Sequence, residues 1–529
     1  MPTLIKNNFW LLLIIFLAAV LRFYNIGNYP TLNPDEAALG YNAYSLIQTG
    51  KDEHGASWPL HFKSFGDFKP GGYVYLAIPF IATFGLTPLA VRLPNLLLSL
   101  LTILYFYKIA FLFTKSRQIS LISALFLAIN PWHLHFSRGA WESSSALAFL
   151  VIGSYYFLVR RYFLFVLTFV ASLYLYHSAR IVAPLLALSY LFIHKSYFIN
   201  HKSKLIFPIL IGILLTFPVL FSFLKNGGTT RFGGVGLTAD TGPLSRSEEL
   251  LNHHMSTALP LRILHNRRVL YLMSWGQKYF SHFDLNFLFI NGDEVPRSKV
   301  PDMGQLYLLQ LPFLLYGIYI FFQSKIYHLK SKIFVLSWLL ISPLASSFTF
   351  QAPSALRALP LVIPLTFLSA LGFYWFTYHL SRTLYLVPCT LYLVSCLFYL
   401  DSYHNHYQKR YPFAWNYGFS QVIPYLNSQK DNYQNIYFTN KYDQPYILYL
   451  FFSKYPPQKI QSQIKLTPPD KFGFSTVSQI DNIYFGKIEW DKISTNSLII
   501  SSPDEKAPIP PIKTIEVQPN KAVFNIYQK

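Results

Sequence analysis

The sequence predicts a polytopic, all-α membrane protein with a small α/β domain at its C-terminus. Among its 529 residues, 52% are hydrophobic and only 13% are charged, which is about half the charged fraction of a soluble protein. Several apolar stretches reach the roughly 20 residues with which a helix crosses a hydrocarbon core. Beyond residue 401 the composition becomes more polar and short β-type runs appear. We therefore expect a membrane domain over 1–400 and a soluble domain over 401–529.

About eleven segments are predicted to span the membrane. A shorter apolar stretch at 70–85 contains Pro79, and we expect it to form a helix in the outer interface instead of a span. The predicted spans lie near residues 9–26, 89–113, 119–136, 143–159, 162–177, 181–194, 205–224, 303–323, 333–349, 358–378 and 384–400.

The short connections between these spans carry Lys and Arg on one side only, and the positive-inside rule makes that side cytoplasmic. This threading places the N-terminus in the cytoplasm and puts 27–88, a large loop at 225–302 and the C-terminal domain outside. We expect an integral protein of a bacterial or archaeal plasma membrane that contacts membrane lipids. The net charge of +21 comes without a dense basic run or a nucleic-acid motif, so no nucleic-acid partner is expected.

The C-terminal domain is predicted to mix strands and helices. Helical patterns occur near 413–428 and 443–454, which favours a small α/β fold. Strands are predicted at 435–439, 482–486, 497–501 and 522–527.

The first predicted outer segment contains an acidic helix signal, TLNPDEAALGYNAYSLIQTG. Asn33 suits the N-cap, Pro34 the first helical position, and Glu36 completes a capping box. Leu39 and later apolar residues form a stripe, so we expect an amphipathic helix along the outer membrane surface. Asp35 lies in the first turn, where the helix dipole alone favours a carboxylate; the alternative is that it carries chemistry.

Three cations border predicted membrane segments on the outer side. Lys69 precedes the Pro-started interfacial helix, with Asp67 two residues before it, and it either snorkels or holds a lipid phosphate. Arg138 and Glu142 are four residues apart, which also fits a simple ion pair. Arg357 enters an apolar segment with no carboxylate near in sequence, so a lipid phosphate is a suitable partner. We predict that the three cations converge on one phosphate.

Metal and nucleotide sites find little support in the sequence. Zinc-type spacing is absent, and the histidines at 133, 135, 253 and 254 do not share helical faces in pairs. We therefore expect no metal and no cofactor, with a divalent metal as the unsupported alternative. The Gly cluster at 227–236 lacks the Lys-Ser/Thr ending of a P-loop and is expected to be a flexible outer loop.

The order of these features resembles one superfamily. After a first span come Asp35-Glu36, Lys69-Pro70, Arg92-Leu93-Pro94-Asn95 and Ser137-Arg138. The chain resembles the GT-C fold glycosyltransferases that depend on polyprenyl-phosphate sugars, in particular the protein O-mannosyltransferases and the aminoarabinose transferases of lipid A. The resemblance covers roughly residues 9–145 and is looser through the later spans.

The resemblance implies transfer of a sugar from a polyprenyl-phosphate carrier to an acceptor on the outer face, in glycosylation of the cell envelope. It implies that Asp35 is the general base, that Glu36 helps to position the acceptor and that Lys69 binds the carrier phosphate. Attack opposite the leaving phosphate inverts the anomeric centre. The aminoarabinose transferases have an acidic residue directly before this Lys, where this chain has Phe68, so Asp67 and Glu142 are the candidates for a second carboxylate.

Two other functions remain open: a transporter or flippase for lipid-linked sugars, and a ligase or polymerase that uses a lipid-linked oligosaccharide. Transporters usually carry ionisable groups within the membrane and have repeated halves, whereas here the acidic residues fall in predicted outer segments and no repeat is evident. The acceptor is also open between a protein hydroxyl, a glycolipid and a glycan. We expect the C-terminal domain to govern acceptor choice or access and not bond formation.

Overall fold

The computed structural model describes residues 2–529, apart from 196–197, 199–202, 226–235, 254–258, 326 and 471–472. The contacts divide the chain into two compact units. The first comprises Met1–Leu21, Leu98–Ser137 and Glu142–Tyr399, and the second comprises Arg22–Leu97, Arg138–Trp141 and Leu400–Lys529. The second unit thus joins the whole of the predicted outer loop 27–88 to the predicted C-terminal domain. Most of the glycine-rich loop predicted at 227–236 lies outside the described residues.

Each of the eleven predicted spans contains at least one helix, which confirms a largely helical membrane protein. Several of these helices contain an internal Pro, a residue that interrupts the hydrogen bonding of a helix. Their bounds are Pro2–Phe23, Pro88–Thr114, Arg117–Ile129 with Pro131–Ser137, Glu142–Leu158, Tyr162–Leu175, Ala179–Ile193, Ser203–Lys225, Gln310–Gln323, Leu329–Ile341 with Leu344–Ser347, Val362–Tyr378 and Arg382–Asp401.

The length and hydropathy of the described helices support fewer spans than the sequence predicts. Five helices are long and apolar enough to cross a membrane, or six if the bent pair Arg117–Ile129 and Pro131–Ser137 forms one span. Further apolar helices are shorter, such as Tyr162–Leu175 with 14 residues, which reaches about 21 Å and not the roughly 30 Å of a hydrocarbon core. The number of about eleven spans therefore stays a prediction.

The predicted loop 225–302 is also helical within the described residues. Its longest helix, Arg267–Phe280, begins after Asn266, whose side chain accepts a hydrogen bond from the Arg268 N–H at 2.9 Å. The remaining elements are Gly242–His253, Leu259–Leu264 and the short turns Leu237–Ala239, Ser281–Phe283, Asn286–Ile290 and Pro296–Ser298.

The second unit opens with the acidic helix, Pro34–Thr49, followed by a hairpin of β1 (His61–Ser64) and β2 (Asp67–Pro70) and by the helix Gly72–Phe84. In the hairpin, Ser64 pairs with Asp67, so the turn contains only Phe65 and Gly66. Both turn residues have positive φ, 57° and 85°, as a two-residue type I′ turn requires. The Gly at the second position therefore allows the tight turn, and the hairpin places Lys69 on β2.

The C-terminal residues form a six-stranded mixed sheet in the order β4-β5-β3-β6-β8-β7. The central strand β3 is parallel to β5 and β6, with Ile436 opposite Ile483 and Leu498, and the remaining pairs are antiparallel. This confirms the predicted α/β composition. The strands are β3 (Asn435–Thr439), β4 (Gln479–Ile480), β5 (Ile483–Gly486), β6 (Ser497–Ser501), β7 (Lys513–Gln518) and β8 (Lys521–Gln528), and the helices are Tyr407–Arg410, Phe419–Gln429, Pro445–Phe452 and Pro457–Gln463.

The helix Pro445–Phe452 packs against the acidic helix within the second unit. A Cβ atom at Gly40 would lie 2.8 Å from the Phe451 ring and 2.5 Å from Val91, so this close approach requires glycine. The Tyr41 hydroxyl donates to the Tyr455 carbonyl at 2.8 Å. The predicted apolar stripe is thus covered by protein, and most of the acidic helix is buried instead of lying on a membrane surface.

Candidate active site

The start of the acidic helix has the predicted capping box. The Asn33 side chain accepts a hydrogen bond from the Glu36 N–H at 3.0 Å. The Glu36 carboxylate accepts from the backbone N–H of Asn33 at 3.3 Å and from its amide at 3.1 Å. This box fixes the first turn, and therefore the position of Asp35 within it.

Glu36 is buried and forms a two-point ion pair with Arg92. The Arg92 guanidinium donates to the two Glu36 oxygens at 2.8 and 2.7 Å, and the Ala140 N–H donates to Glu36 at 2.8 Å. Arg92 also donates to the carbonyls of Ile26 and Pro30 at 2.7 and 2.8 Å. The pair therefore ties the acidic helix to two other segments of the second unit. The predicted role of Glu36 in positioning an acceptor stays a prediction.

Asp35 and Lys69 contact each other directly. The Lys69 ammonium donates to the Asp35 carboxylate, and the side chains are 40% (Asp35) and 21% (Lys69) exposed. The ammonium also lies 4.9 Å from the centre of the Phe65 ring, a favourable cation–π distance. The fold thus joins the two residues that the sequence singled out 34 positions apart, and leaves both accessible to a ligand.

The position of Asp67 follows from the pleat of β2. Alternate residues of a strand face the same side, so Asp67 and Lys69 share one side of the hairpin and Phe68 faces the other. The Asp67 carboxylate accepts a hydrogen bond from the Phe68 N–H at 2.8 Å. Its role as a second carboxylate stays a prediction.

Arg138 is buried and holds the chain that follows the first helix. Its guanidinium donates to the carbonyls of Arg22, Tyr24 and Tyr29 at 3.3, 2.7 and 3.4 Å, and it lies 5.2 Å from the centre of the Tyr403 ring. These contacts are those of a residue that organises backbone. Glu142, the other predicted carboxylate, lies in the first unit at the start of a helix, where the dipole favours it.

Arg357 belongs to the first unit, where it is partly buried. Its guanidinium donates to the Thr349 hydroxyl at 3.2 Å and the Gln351 carbonyl at 3.1 Å. The fold supplies a carboxylate that sequence proximity did not reveal, since Asp293 interacts electrostatically with Arg357. Burial raises the pKa of Asp293, although N–H groups of Val295 and Ala355 and the Arg357 charge oppose this shift.

The convergence of Lys69, Arg138 and Arg357 on one phosphate remains a prediction, because Arg357 lies in the first compact unit and the other two lie in the second. Within the second unit, the exposed pair of Asp35 and Lys69 is the part of the predicted cluster that is accessible.

One buried carboxyl group in this unit was missed by the sequence reasoning. Glu53 is fully buried; the Asn42 amide donates to its carboxyl at 3.3 Å, and its N–H donates to the Asn42 carbonyl oxygen at 3.0 Å. Burial raises the pKa of Glu53 to about 8. The run Asp52-Glu53-His54, directly after the acidic helix, was the available signal because three titratable residues in a row are unusual in so apolar a chain.

Metal ligands do not cluster in the described part of the chain, where no group of three or more His, Cys, Asp or Glu side chains could hold an ion. One of the adjacent histidines at 253 and 254 lies outside that part. The arrangement around Asp35 instead offers an accessible carboxylate, which can accept a proton, and an ammonium, which can bind an anion.

The sequence and the fold of this chain are similar to those of known proteins. Residues 12–171 match the family model described as Dolichyl-phosphate-mannose-protein mannosyltransferase. The crystal structure of ArnT from Cupriavidus metallidurans bound to undecaprenyl phosphate has the same fold, with a TM-score of 0.56, 11% identity and 98% coverage of both chains. No curated protein matches the sequence.

Two further structures resemble the chain less well. ArnT from C. metallidurans in the apo state has a TM-score of 0.48 and 12% identity, with 98% of both chains covered. The oligosaccharyltransferase AglB from Archaeoglobus fulgidus, in complex with an inhibitory peptide and a dolichol-phosphate, has a TM-score of 0.47 and 12% identity, with 85% of this chain and 64% of AglB covered.

The predicted resemblance is confirmed over the N-terminal region by the family match and over the whole chain by the shared fold. Residues 12–171 are therefore similar to the protein mannosyltransferases, and the chain as a whole has the same fold as ArnT.

Proposed function

We propose that the protein transfers a sugar from a polyprenyl-phosphate carrier to an acceptor on the outer face of the membrane, with inversion at the anomeric carbon. Asp35 is the general base, and Lys69 binds the phosphate of the donor. The contact between the Lys69 ammonium and the Asp35 carboxylate carries this proposal, because it brings a proton acceptor and a phosphate-binding group to one accessible place.

The direct contact also suggests how the two residues work in turn. Without a donor, each side chain neutralises the other. A bound phosphate offers Lys69 a second anion, and as the ammonium turns towards it the Asp35 carboxylate is released to accept a proton. Partial exposure of both side chains leaves room for this exchange. Catalytic hydrogen bonds often reach their working geometry only in the substrate complex.

The chemistry needs few further groups. The acceptor oxygen attacks the anomeric carbon while the bond from that carbon to the phosphate oxygen breaks, and the acceptor proton goes to Asp35. The departing phosphate takes the bonding electrons, and Lys69 stabilises the charge that develops there. Position at the first turn of a helix favours the ionised form of Asp35. No covalent enzyme intermediate is required.

The two arginines support the site differently. The carbonyl contacts of Arg138 suit a residue that holds the backbone of 22–29 in place. We therefore propose that Arg138 affects phosphate binding indirectly, by keeping this backbone in position. Arg357 is proposed to add positive charge for the donor, although Asp293 shares that charge. Glu36 is proposed to position the acceptor indirectly, by holding the helix start on which Asp35 sits.

We further propose that the site faces the outside of the membrane, that the N-terminus is cytoplasmic and that the chain has about eleven spans. This topology rests on the distribution of Lys and Arg in the sequence. A protein hydroxyl, a glycolipid and a glycan are all compatible acceptors, because each presents the hydroxyl group that the reaction consumes.

Mass spectrometry of products tests the proposal. The purified protein is incubated with a panel of polyprenyl-phosphate sugars and membrane acceptors, and we expect one donor to be consumed. Lys69→Ala should weaken donor binding and also lower turnover, by roughly 10-fold to 150-fold overall, as for loss of one charge-assisted hydrogen bond. A protein that only moves intact donors across vesicles, without cleaving them, would instead be a flippase.

The ion pair of Lys278 with Asp240 provides a matched control. It joins the same two residue types at 3.2 Å, and its side chains are also partly exposed, but it lies in the first unit. Lys278→Ala should leave donor turnover within about twofold of wild type, as expected of a surface pair. Equal losses in both variants would point to a general effect of charge and against a phosphate site at Lys69.

A further inference from the structure

The turn of the hairpin places an aromatic ring against Lys69. Phe65 is buried, and the Lys69 ammonium lies 4.9 Å from the centre of its ring. The face of an aromatic ring is electron-rich and attracts a cation at this distance. Because the ring carries no net charge, it holds the ammonium without neutralising it. The Asp35 carboxylate, which accepts a hydrogen bond from the same ammonium, does neutralise it.

Residues from the C-terminal part of the second unit hold the Phe65 ring and its turn. The Tyr446 ring meets the Phe65 ring edge to face, with ring centres 6.2 Å apart and planes at 82°, which is a favourable arrangement of two aromatic rings. The Ser475 N–H donates to the Phe65 carbonyl at 2.9 Å. A Cβ atom at Gly66 would lie 3.0 Å from the Ser475 hydroxyl oxygen, so the turn packs closely on this segment. Phe65 is therefore fixed through both its backbone and its ring.

We propose that Phe65 is a positioning residue for the donor phosphate: its ring keeps the Lys69 ammonium in place while that ammonium turns from Asp35 to the phosphate. The inference rests on the proposed role of Lys69 in phosphate binding. An ammonium at the end of a long side chain otherwise samples many rotamers, and ordering it on binding lowers the affinity. Tyr446, which packs on the ring, extends this donor site into the C-terminal residues.

Replacement of Phe65 by phenylalanine analogues with one, two or three ring fluorines tests the inference in the full-length protein. Fluorine withdraws negative charge from the face of the ring and changes its size little, so each added fluorine weakens the attraction to a cation. The measurement is the Kd of farnesyl methyl phosphate, a phosphodiester with one negative charge and no sugar to be transferred. We expect the Kd to rise stepwise, by roughly twofold to fivefold with three fluorines. A Kd that does not depend on the number of fluorines would overturn the role of Phe65.

Lys69→Ala separates an effect on the ammonium from an effect on the fold. In this variant, fluorination at position 65 should leave the Kd unchanged, because the interaction that it weakens is already gone. A rise of the same size as in the protein with Lys69 would show that fluorine acts through the packing of the hairpin, and would also overturn the inference.

Tyr446 offers a matched pair of variants for the C-terminal part of the site. The Tyr446 hydroxyl is buried and has no hydrogen-bond partner among the described residues, so Tyr446→Phe keeps the contact with Phe65 and should bind the probe as wild type does. Tyr446→Leu removes the aromatic edge and should raise the Kd. Equal Kd values in the two folded variants would refute the part of Tyr446, and the fluorinated series tests Phe65 whether or not Tyr446→Leu folds.

Lys69→Ala also distinguishes this inference from the function on which it rests. If Lys69→Ala binds the probe as tightly as wild type, the phosphate site is wrong and the role of Phe65 falls with it. If Lys69→Ala loses affinity but the fluorinated series with Lys69 binds as wild type does, only the role of Phe65 is refuted.

Discussion

Asp35 and Glu36 are neighbours in sequence with opposite environments. One residue along a helix is a rotation of about 100°, and this turn takes Glu36 into a buried pair with Arg92 while Asp35 stays accessible beside Lys69. The capping box could be predicted from the spacing of Asn33 and Glu36. The partner of Glu36 could not, because Arg92 is 56 positions away and only the fold joins them.

Asp35→Asn should abolish turnover while the fold survives. Loss of a general base lowers the rate by about 100-fold to 10,000-fold, and the amide keeps the size of the side chain. Single-turnover assays with excess enzyme would measure the chemical step, and binding of farnesyl methyl phosphate should be retained because Lys69 is then free of its carboxylate. Near-normal turnover in Asp35→Asn would show that the Asp35 carboxylate is not the general base and only stabilises the start of the helix.

Glu36→Gln should instead act on stability. It leaves the buried Arg92 charge without a carboxylate, and breaking such a pair costs about 3–5 kcal/mol. Thermal unfolding of the detergent-solubilised protein would detect this as a clear loss. Asp35→Asn is the matched control, since its pair is partly exposed and worth about 1 kcal/mol or less. Similar melting curves for the two variants would contradict the buried pair.

At the scale of elements, the acidic helix could be predicted from the sequence, whereas the hairpin of β1 and β2 could not. The helix has a cap, a stripe and a terminal glycine within 20 residues of sequence. Strands β1 and β2 have only four residues each, too few for an alternating pattern, and the turn Phe65-Gly66 is a weak hairpin signal compared with Asn-Gly. The prediction that Lys69 directly precedes a Pro-started helix is wrong in its local detail, because Lys69 and Pro70 belong to β2 and the helix begins at Gly72. The contact of Lys69 with Asp35 has no signal in the sequence.

Gly40→Ala should destabilise the second unit. The added methyl would approach Val91 to 2.5 Å and Phe451 to 2.8 Å, and overpacking of this kind costs about 1–3 kcal/mol. The control is Gly276→Ala, another helical glycine, whose added Cβ would meet no atom within 4 Å and which should gain up to about 1 kcal/mol from helix propensity. The measurement is the change in melting temperature of each variant relative to wild type. Equal changes in the two variants would show that the helices do not approach closely at Gly40.

At the scale of the whole molecule, the positions of the helices followed from apolar stretches, but the division into compact units did not. Each predicted span contains a helix because hydrophobic length is a local property of the sequence. The second unit combines residues 22–97 with residues 400–529, and contacts over such separations leave no local signal. The expectation that the C-terminal residues govern acceptor choice or access and not bond formation stays a prediction, although these residues also pack on the helix that carries Asp35.

The predicted orientation can be tested by labelling. In a variant with Cys389 and Cys396 replaced by alanine, Ser116→Cys should be shielded from an impermeant thiol reagent in intact cells, whereas Ser420→Cys should react. The positive-inside rule assigns these two positions to opposite sides of the membrane. The reverse pattern would place the site of Asp35 and Lys69 in the cytoplasm and would exclude transfer at the outer face.

The packing of the helix Pro445–Phe452 on the acidic helix has a consequence for the synthesis of the protein. Asp35 emerges early from the ribosome, but the residues that cover its helix, such as Phe451, are among the last to be made. Until they arrive, the acidic helix lacks its contacts with Phe451 and Tyr455, although Val91 is already present. A chain that ends before residue 445 should therefore hold the start of the acidic helix less firmly than the full-length protein does.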